Sequence, residues 1–246
     1  MSSSKLNRRQ ILSAGVLVGS SVAFDTAPAA SISGKVPWHA GEANKPPIAE
    51  PGPRRFLTDA EATFIDAATA RFIPSDELGP GAVEAGVTTF IDLQLAGPYG
   101  KGASWYMEGP WPKGEPSQGY QSRLAPADMY RATIRAIDAY AAKEFDGKNF
   151  AALSGEQQDK ILEGLDKGDI TLEGADGKAF MTMFWQNTLE GFFADPIYGG
   201  NRDMAGWKLI GFLGARYDYR PYINKHNVKI DLPPVSLKGS PSWNPA

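Results

Sequence analysis

Cysteine is absent from the 246-residue chain, and histidine occurs only twice, as His39 and His226. Without cysteine, the chain cannot form a disulfide, a thiolate nucleophile, a cysteine-ligated iron–sulfur cluster or a covalent c-type haem site. A histidine-based metal site needs two or three clustered ligands, and these two histidines are far apart in sequence. Each lies in an irregular segment and is therefore interpreted as a surface group.

Sequence patterns of nucleotide binding and of common hydrolases are also missing. No Gly-rich fingerprint opens a helix after a strand, no phosphate-binding loop occurs, and no serine stands in the context of a nucleophile elbow. The net charge of −3 argues against nucleic acid as a partner and against a basic, membrane-adsorbing surface. The sequence therefore predicts no catalytic, cofactor-binding or metal-binding residue in this chain.

The first 29 residues have the composition of an export signal. Lys5, Arg8 and Arg9 precede an apolar run of roughly fourteen residues, and Ala27-Pro28-Ala29 offers the small residues of a peptidase site. The run is too short to favour a stable membrane span. The Arg8-Arg9 pair resembles the twin-arginine signature; the alternative is a general secretory signal with a chance Arg-Arg pair. We expect a periplasmic protein that crosses the membrane already folded.

After the signal, the sequence predicts one compact all-α domain between two proline-rich ends. Residues 30–55 are predicted to be an extended linker, residues 56–226 the helical domain, and residues 227–246 an extended tail. Capping boxes at Thr58 and Ser154 favour helix starts there, and no strand pattern is sustained. Apolar residues at helical spacing predict helices over residues 58–73, 82–96, 126–145, 154–168, 177–194 and 205–213.

A long Gly/Pro-rich loop, residues 97–124, separates the second and third predicted helices. Loops of this length in compact domains are usually functional or bound to a partner. Its aromatic side chains are predicted to pack either on the domain itself or on a partner, and Trp105, Tyr106 and Trp111 are candidate interface residues. The fifth helix is apolar on nearly every side, which predicts burial either at the centre of the fold or against a partner.

The densest motif lies within residues 195–212. Tyr198-Gly199-Gly200-Asn201 requires the backbone freedom of glycine, and the turn either presents Asn201 and Arg202 outward or makes a tight helix connection capped by Asn201. Both interpretations give a structural turn or a docking surface rather than an active site. The candidate interface residues of this segment are Asp195, Pro196, Tyr198, Gly199, Gly200, Asn201, Arg202 and Trp207.

This segment resembles the small, or gamma, subunit of membrane-linked gluconate 2-dehydrogenase, called the subunit 3 family. The resemblance runs in order over residues 55–225, with one departure at Ala125, where a Thr or Ser helix cap is expected. It is carried by Phe56-Leu57-Thr58-Asp59-Ala60-Glu61, Phe72-Ile73-Pro74, Leu124-Ala125-Pro126, Tyr130-Arg131, Leu153-Ser154, Asp195-Pro196-Ile197-Tyr198-Gly199-Gly200-Asn201-Arg202-Asp203 and Gly206-Trp207-Lys208-Leu209-Ile210-Gly211-Phe212.

The resemblance implies a three-part enzyme. A large flavoprotein of the glucose–methanol–choline type would hold FAD and oxidise a sugar or sugar acid, and a multihaem cytochrome c would carry the electrons toward quinone. The small subunit would assist maturation and twin-arginine export of the flavoprotein and hold no catalytic centre of its own. The complex would keep it at the inner membrane. A stand-alone periplasmic enzyme and a ligand-binding protein remain the alternatives.

Overall fold

A computed structural model describes residues 52–112, 114–216 and 219–237, which all belong to the compact unit Ala40–Ala246. The predicted signal with Arg8 and Arg9, and the linker up to residue 51, lie outside the described residues. The described residues contain isolated bridges but no β-strand, so the prediction of an all-α domain is confirmed. The α-helices are α1 Asp59–Phe72, α2 Val87–Ala96, α3 Pro126–Glu144, α4 Gly155–Lys167, α5 Gly177–Phe193 and α6 Ala205–Ile210.

Capping boxes begin two helices where the sequence predicts them. The Thr58 hydroxyl accepts a hydrogen bond from the Glu61 N–H, and the Glu61 carboxylate accepts one from the Thr58 N–H. Ser154 and Gln157 form the same reciprocal pair at the start of α4. Each box satisfies backbone donors that have no partner inside the helix. Ala125, by contrast, supplies no side-chain cap to α3.

Two predicted helix boundaries are wrong, and a glycine with positive φ explains each. The second helix begins at Val87 rather than at residue 82, because Gly86 has φ +79° and residues 82–86 form turns. The sixth helix ends at Ile210 rather than at residue 213, because Gly211 has φ +70°. Left-handed backbone is incompatible with continuation of a right-handed helix. Val83, which lies in these turns, is 37% exposed.

Helix α5 lies at the centre of the fold and contacts each of the other five helices. Phe180 and Phe184 of α5 stack with ring centroids 5.3 Å apart, and Tyr130 of α3 meets both rings edge-on. All three rings are fully buried. Each such ring pair contributes about 0.5–1.5 kcal/mol of stabilisation beyond what the burial of its surface area contributes. Central burial of the fifth helix is thus confirmed, apart from one exposed stripe that includes Trp185.

The C-terminal tail returns to the helical domain. Val235 forms a parallel bridge with Gly214, in which the Ala215 N–H donates to the Val235 carbonyl at 2.7 Å and the Val235 N–H donates to the Leu213 carbonyl at 3.2 Å. A Cβ atom on Gly214 would lie 2.2 Å from the Val235 oxygen, so the contact requires glycine. The predicted tail is non-helical as far as it is described, and residues 235–237 are fixed on the domain.

Candidate functional site

Asp195 follows α5 and joins its own turn to the C-terminal tail through one buried carboxylate. The side chain is only 8% exposed. It accepts hydrogen bonds from the Ile197 N–H at 3.0 Å, the Ser236 hydroxyl at 2.6 Å and the Leu237 N–H at 2.7 Å. Hydrogen bonds to an ionised acceptor are stronger than neutral ones. Asp195 therefore anchors the tail beside the predicted docking segment.

Asn201 is fully buried and bridges the end of α5 to the start of α6. Its Nδ2 donates to the Ala194 carbonyl at 2.7 Å, and its Oδ1 accepts from the Gly206 N–H at 2.8 Å. Its backbone has φ +46°, a left-handed conformation that Asn tolerates better than most residues. Of the two interpretations of this turn, the structure selects the tight connection capped by Asn201.

The glycines of this segment allow close contact with the backbone of α5. A Cβ atom on Gly200 would lie 2.2 Å from the Gly191 carbonyl oxygen, and one on Gly206 would lie 2.3 Å from the Phe192 carbonyl oxygen. Gly199 additionally has φ +92°. The Tyr198-Gly199-Gly200-Asn201 motif is thus a packing motif, because any side chain at Gly200 would push the segment off the helix.

Arg202 and Trp207 also bond to their own domain. The Arg202 guanidinium donates to the Thr89 hydroxyl at 3.3 Å, and its backbone N–H donates to the Ala85 carbonyl at 3.0 Å. The Trp207 indole N–H donates to the Phe193 carbonyl at 2.7 Å, and the side chain is 5% exposed. The predicted site residues therefore split, with Asp195, Gly200, Asn201 and Trp207 buried and Tyr198 exposed.

Besides Tyr198, this segment and the tail residue Leu237 expose apolar side chains that are not among the predicted interface residues. One is Phe212, whose ring meets the Trp207 ring edge-on at 5.2 Å and is 47% exposed. The short α6 carries apolar residues on more than one side, which is the signal for an outward apolar face. We call the set the C-terminal apolar surface; it consists of Ile197, Tyr198, Leu209, Ile210, Phe212 and Leu237.

The aromatic loop divides between its own domain and solvent. Trp105 is half-buried between Tyr99 and Tyr120, with ring centroids at 5.8 and 4.8 Å, and all three pack on the core. Tyr106 is 80% exposed, and Trp111 is half-buried beside Gly109. Of the three candidates in this loop, Trp105 contributes to the packing of the domain and Tyr106 is available to a partner.

A groove of about 1470 Å³ runs along the exposed stripe of α5. Tyr99, Trp105 and Tyr120 of the loop line it, together with residues from the end of α1 and from α4. The loop aromatics were predicted from the sequence but the groove was not, because it requires the loop, α1 and α4 to meet on α5. We call this feature the α5 groove.

The buried titratable groups bond within the domain. Asp92 accepts hydrogen bonds from the backbone N–H groups of Arg55, Phe56 and Leu57 and so fixes the entry to α1. Burial raises the pKa of Asp138, whose carboxylate accepts from the Phe150 N–H at 3.0 Å. In these hydrogen bonds the donor is always a backbone N–H and never a second acid, base or nucleophile. Both carboxylates therefore hold backbone in place.

Neither a metal site nor a membrane span is found in the part of the chain that the structure describes. Among residues 52–112, 114–216 and 219–237, no cluster of three or more His, Cys, Asp or Glu side chains has the arrangement of a metal site. Within the same ranges, no helix combines the length and apolar character of a membrane span.

Comparison with known proteins gives one match. Residues 59–214 match a family model described as gluconate 2-dehydrogenase subunit 3. The matched range begins with α1 and ends at Gly214, beyond α6, so it includes all six helices, the aromatic loop and residues 195–207, but not the tail residues Ser236 and Leu237 that bond to Asp195. No curated protein and no solved structure matches the chain.

Proposed function

The chain belongs to the gluconate 2-dehydrogenase subunit 3 family and is accordingly an accessory subunit of a dehydrogenase complex, and from this premise we propose its role in that complex. In our proposal it assists maturation and twin-arginine export of an FAD-containing large subunit of the glucose–methanol–choline type. The large subunit oxidises a sugar or sugar acid, and a multihaem cytochrome c takes the electrons. The assembled complex resides in the periplasm at the inner membrane.

The observation that carries this proposal is the C-terminal apolar surface. Its side chains are 41% to 66% exposed, although the backbone beneath them is fixed by Asp195, Asn201 and the close contact at Gly200. Exposed apolar clusters on soluble domains mark interaction sites. A rigid support also favours binding, because less conformational entropy is lost when the partner docks.

The hydrogen bonding of the interior supports an accessory role. Buried polar side chains such as Asp92, Asp195, Asn187 and Asn201 bond to neighbours in their own domain. These bonds hold loops and helix ends and, through Asn187 and Tyr130, join α5 to α3, which is a structural role. We therefore assign FAD and haem c to the partner subunits and no cofactor to this chain.

The export proposal rests on the paired Arg8 and Arg9 before an apolar run. The twin-arginine route carries folded cargo, so one signal can export two subunits that are already docked. The test is to delete this subunit in cells that express the flavoprotein and to measure periplasmic dehydrogenase activity. We expect activity to be lost. Full periplasmic activity in the deletion strain would contradict a role in export or maturation.

A second test addresses the signal itself. Arg8→Lys with Arg9→Lys keeps the charge but removes the paired guanidinium groups that the receptor reads. We expect the protein and its flavoprotein to remain in the cytoplasm. Periplasmic accumulation of the double variant would identify a general secretory signal instead.

The docking surface has its own matched test. Ile210 is 61% exposed on the C-terminal apolar surface, whereas Leu78 is 73% exposed in a turn between α1 and α2. Ile210→Lys places a charge in the interface, and Leu78→Lys makes the same change elsewhere. We expect recovery of the complex to fall roughly tenfold or more for the first variant only. Equal recovery of both complexes would exclude this surface as the interface.

A further inference from the structure

The exposed stripe of α5 is the floor of the α5 groove. Thr182, Trp185 and Gln186 lie in its middle, between Lys178 and Glu190 near its ends, at the spacing of one helical face. All five are exposed, although α5 contacts every other helix of the domain. The most central helix therefore leaves one face open where a sixth neighbour would pack.

Aromatic side chains supply the apolar part of the groove. Trp185 is 44% exposed and meets the Phe72 ring edge-on at 5.3 Å. Trp105 and Tyr120 of the loop and Leu162 of α4 also line the groove. Large rings on a rigid support are the side chains that most often dominate protein interfaces.

The dimensions fit a polypeptide better than a small molecule. The floor extends from Asp176 to Glu190, which corresponds to about 21 Å of helix, or roughly four turns. The volume of about 1470 Å³ exceeds the roughly 300–1,000 Å³ of typical small-ligand pockets. An amphipathic helix of similar length can place its apolar face along such a groove.

The charged side chains along the rim of the groove determine which charge a bound helix should carry. Five carboxylates line the groove, against two cationic side chains. One of these, Arg71, is held by Asp159 through two hydrogen bonds of 2.7 Å each. The remaining acidic side chains include Asp166 of α4 and Glu190 of α5, both exposed. The lining residues are Asp159, Glu163, Asp166, Asp176, Glu190, Arg71 and Lys178.

We propose that the α5 groove binds an amphipathic helix of a partner subunit, with an apolar face that is flanked by Lys and Arg side chains. The apolar face contacts Trp185 and Phe72, and the cationic groups meet the rim carboxylates and the aromatic faces, where cation–π attraction adds to the ion pairs. The identity of the partner, a subunit of the dehydrogenase complex, rests on the proposed function. The chemistry of the helix that binds rests on the residues that line the groove.

The first experiment measures peptide binding to the purified full-length chain. The probe is an 18-residue amphipathic helix of Leu and Lys, and the comparison peptide replaces every Lys by Glu. We expect the basic peptide to bind, its affinity to fall with added salt, and the acidic peptide not to bind. Equal binding of both peptides, or binding of neither, would overturn the proposal.

Charge-reversal variants locate the binding site. Asp166→Lys and Glu190→Lys alter exposed rim residues, so the fold is expected to persist, and Glu144→Lys makes the same change at the exposed end of α3, outside the groove. We expect each groove variant to weaken binding of the basic peptide about fivefold and the control to bind as the unmodified chain does. Equal weakening by all three variants would show non-specific attraction to an acidic protein and overturn the proposal.

The second experiment uses the complex itself. The groove variants and Glu144→Lys are each expressed with the partner subunits, and complex recovery and periplasmic activity are measured. Reduced recovery with Asp166→Lys and Glu190→Lys supports the groove as a partner site. If those complexes assemble normally while deletion of the subunit abolishes export, the groove inference fails and the proposed function stands. If deletion has no effect, the proposed function fails and the peptide result decides the chemistry of the groove.

Discussion

Asp195 accepts a hydrogen bond of 2.6 Å from the hydroxyl of Ser236, which lies 41 residues further along the chain. The same carboxylate binds the backbone N–H of Leu237 at 2.7 Å. One buried side chain thus fixes the tail against the segment that follows α5, and part of the C-terminal apolar surface depends on it.

Asp195→Ala should loosen the tail and lower stability. Loss of a charged acceptor that serves three donors is expected to cost about 2–3 kcal/mol in the free energy of unfolding. Chemical denaturation measures the loss, and limited proteolysis should show faster cleavage near residue 236. Asp231→Ala is the control, because Asp231 lies in the same tail and is exposed. Equal protease sensitivity of the two variants would contradict the anchoring role of Asp195.

Asn201→Ala should destabilise the domain strongly. The substitution leaves the Ala194 carbonyl and the Gly206 N–H without the partner that they have now, at a cost of about 1–3 kcal/mol per buried group. Asn227 offers a matched control, since it also has positive φ, +56°, but is exposed. Asn227→Ala therefore reports the cost of left-handed backbone alone. Similar melting temperatures for the two variants would refute the bridging role of Asn201.

Gly200→Ala should separate the turn from α5. The added methyl group would lie 2.2 Å from the Gly191 carbonyl oxygen, and backbone cannot move away as a flexible side chain can. We expect the free energy of unfolding to fall by about 2–3 kcal/mol, which lies in the upper part of the usual range for overpacking. Gly52→Ala is the control, because a Cβ atom there meets nothing within 4 Å. Thermal unfolding of both variants gives the comparison.

The sequence could predict most of the helices because many of their starts and stops have a local cause. Thr58 and Ser154 are capping residues with a partner three positions later, and both helices begin there. The start of α2 was misplaced because residues 82–85 favour helix locally, whereas Gly86 adopts left-handed backbone and residues 82–86 form turns. The Ala85 carbonyl in these turns accepts a hydrogen bond from the Arg202 N–H at 3.0 Å, a tertiary contact that the sequence alone does not show.

The sequence predicted where the candidate site lies in the chain, but not which of its side chains bond within the domain. The sequence marked residues 195–212 as structural or docking residues, and the structure shows Asp195, Asn201 and Arg202 bonded within the domain. Whether Asn201 points inward depends on the end of α5, and the sequence alone does not position that helix. The α5 groove was beyond prediction for the same reason, because Tyr99, Trp185 and Asp166 meet only through packing.

The aromatic loop should lose stability when Trp105 is truncated. Trp105 is wedged between Tyr99 and Tyr120 and contacts the core, so Trp105→Ala is expected to cost about 3 kcal/mol. Tyr106→Ala, at a neighbouring but 80% exposed position, should change stability by less than about 0.5 kcal/mol. Denaturation curves of the isolated subunit distinguish the two. Equal stability of both variants would mean that Trp105 is dispensable to the domain and free to serve a partner.

Tyr130 should make the domain sensitive to alkaline pH. Burial raises the pKa of Tyr130 well above its ordinary value of 10.0, and its hydroxyl oxygen accepts a hydrogen bond from Asn187 Nδ2 at 2.8 Å. Below about pH 10 the hydroxyl is protonated in both the folded and the unfolded state, so its contribution is constant. Above that pH only the unfolded state ionises it, which favours unfolding.

The free energy of unfolding should therefore fall above pH 10 by up to about 1.4 kcal/mol per pH unit from this side chain, until the pH reaches its folded pKa. Tyr130→Phe should flatten that slope, although it lowers stability at neutral pH by leaving the Asn187 amide without its acceptor. Tyr106→Phe, at an exposed position, serves as the control. The comparison uses slopes measured by denaturation between about pH 9 and 11, because other groups titrate in every variant and cancel in the difference. If the slopes of Tyr130→Phe and Tyr106→Phe agree, ionisation of Tyr130 is not what limits stability in alkali.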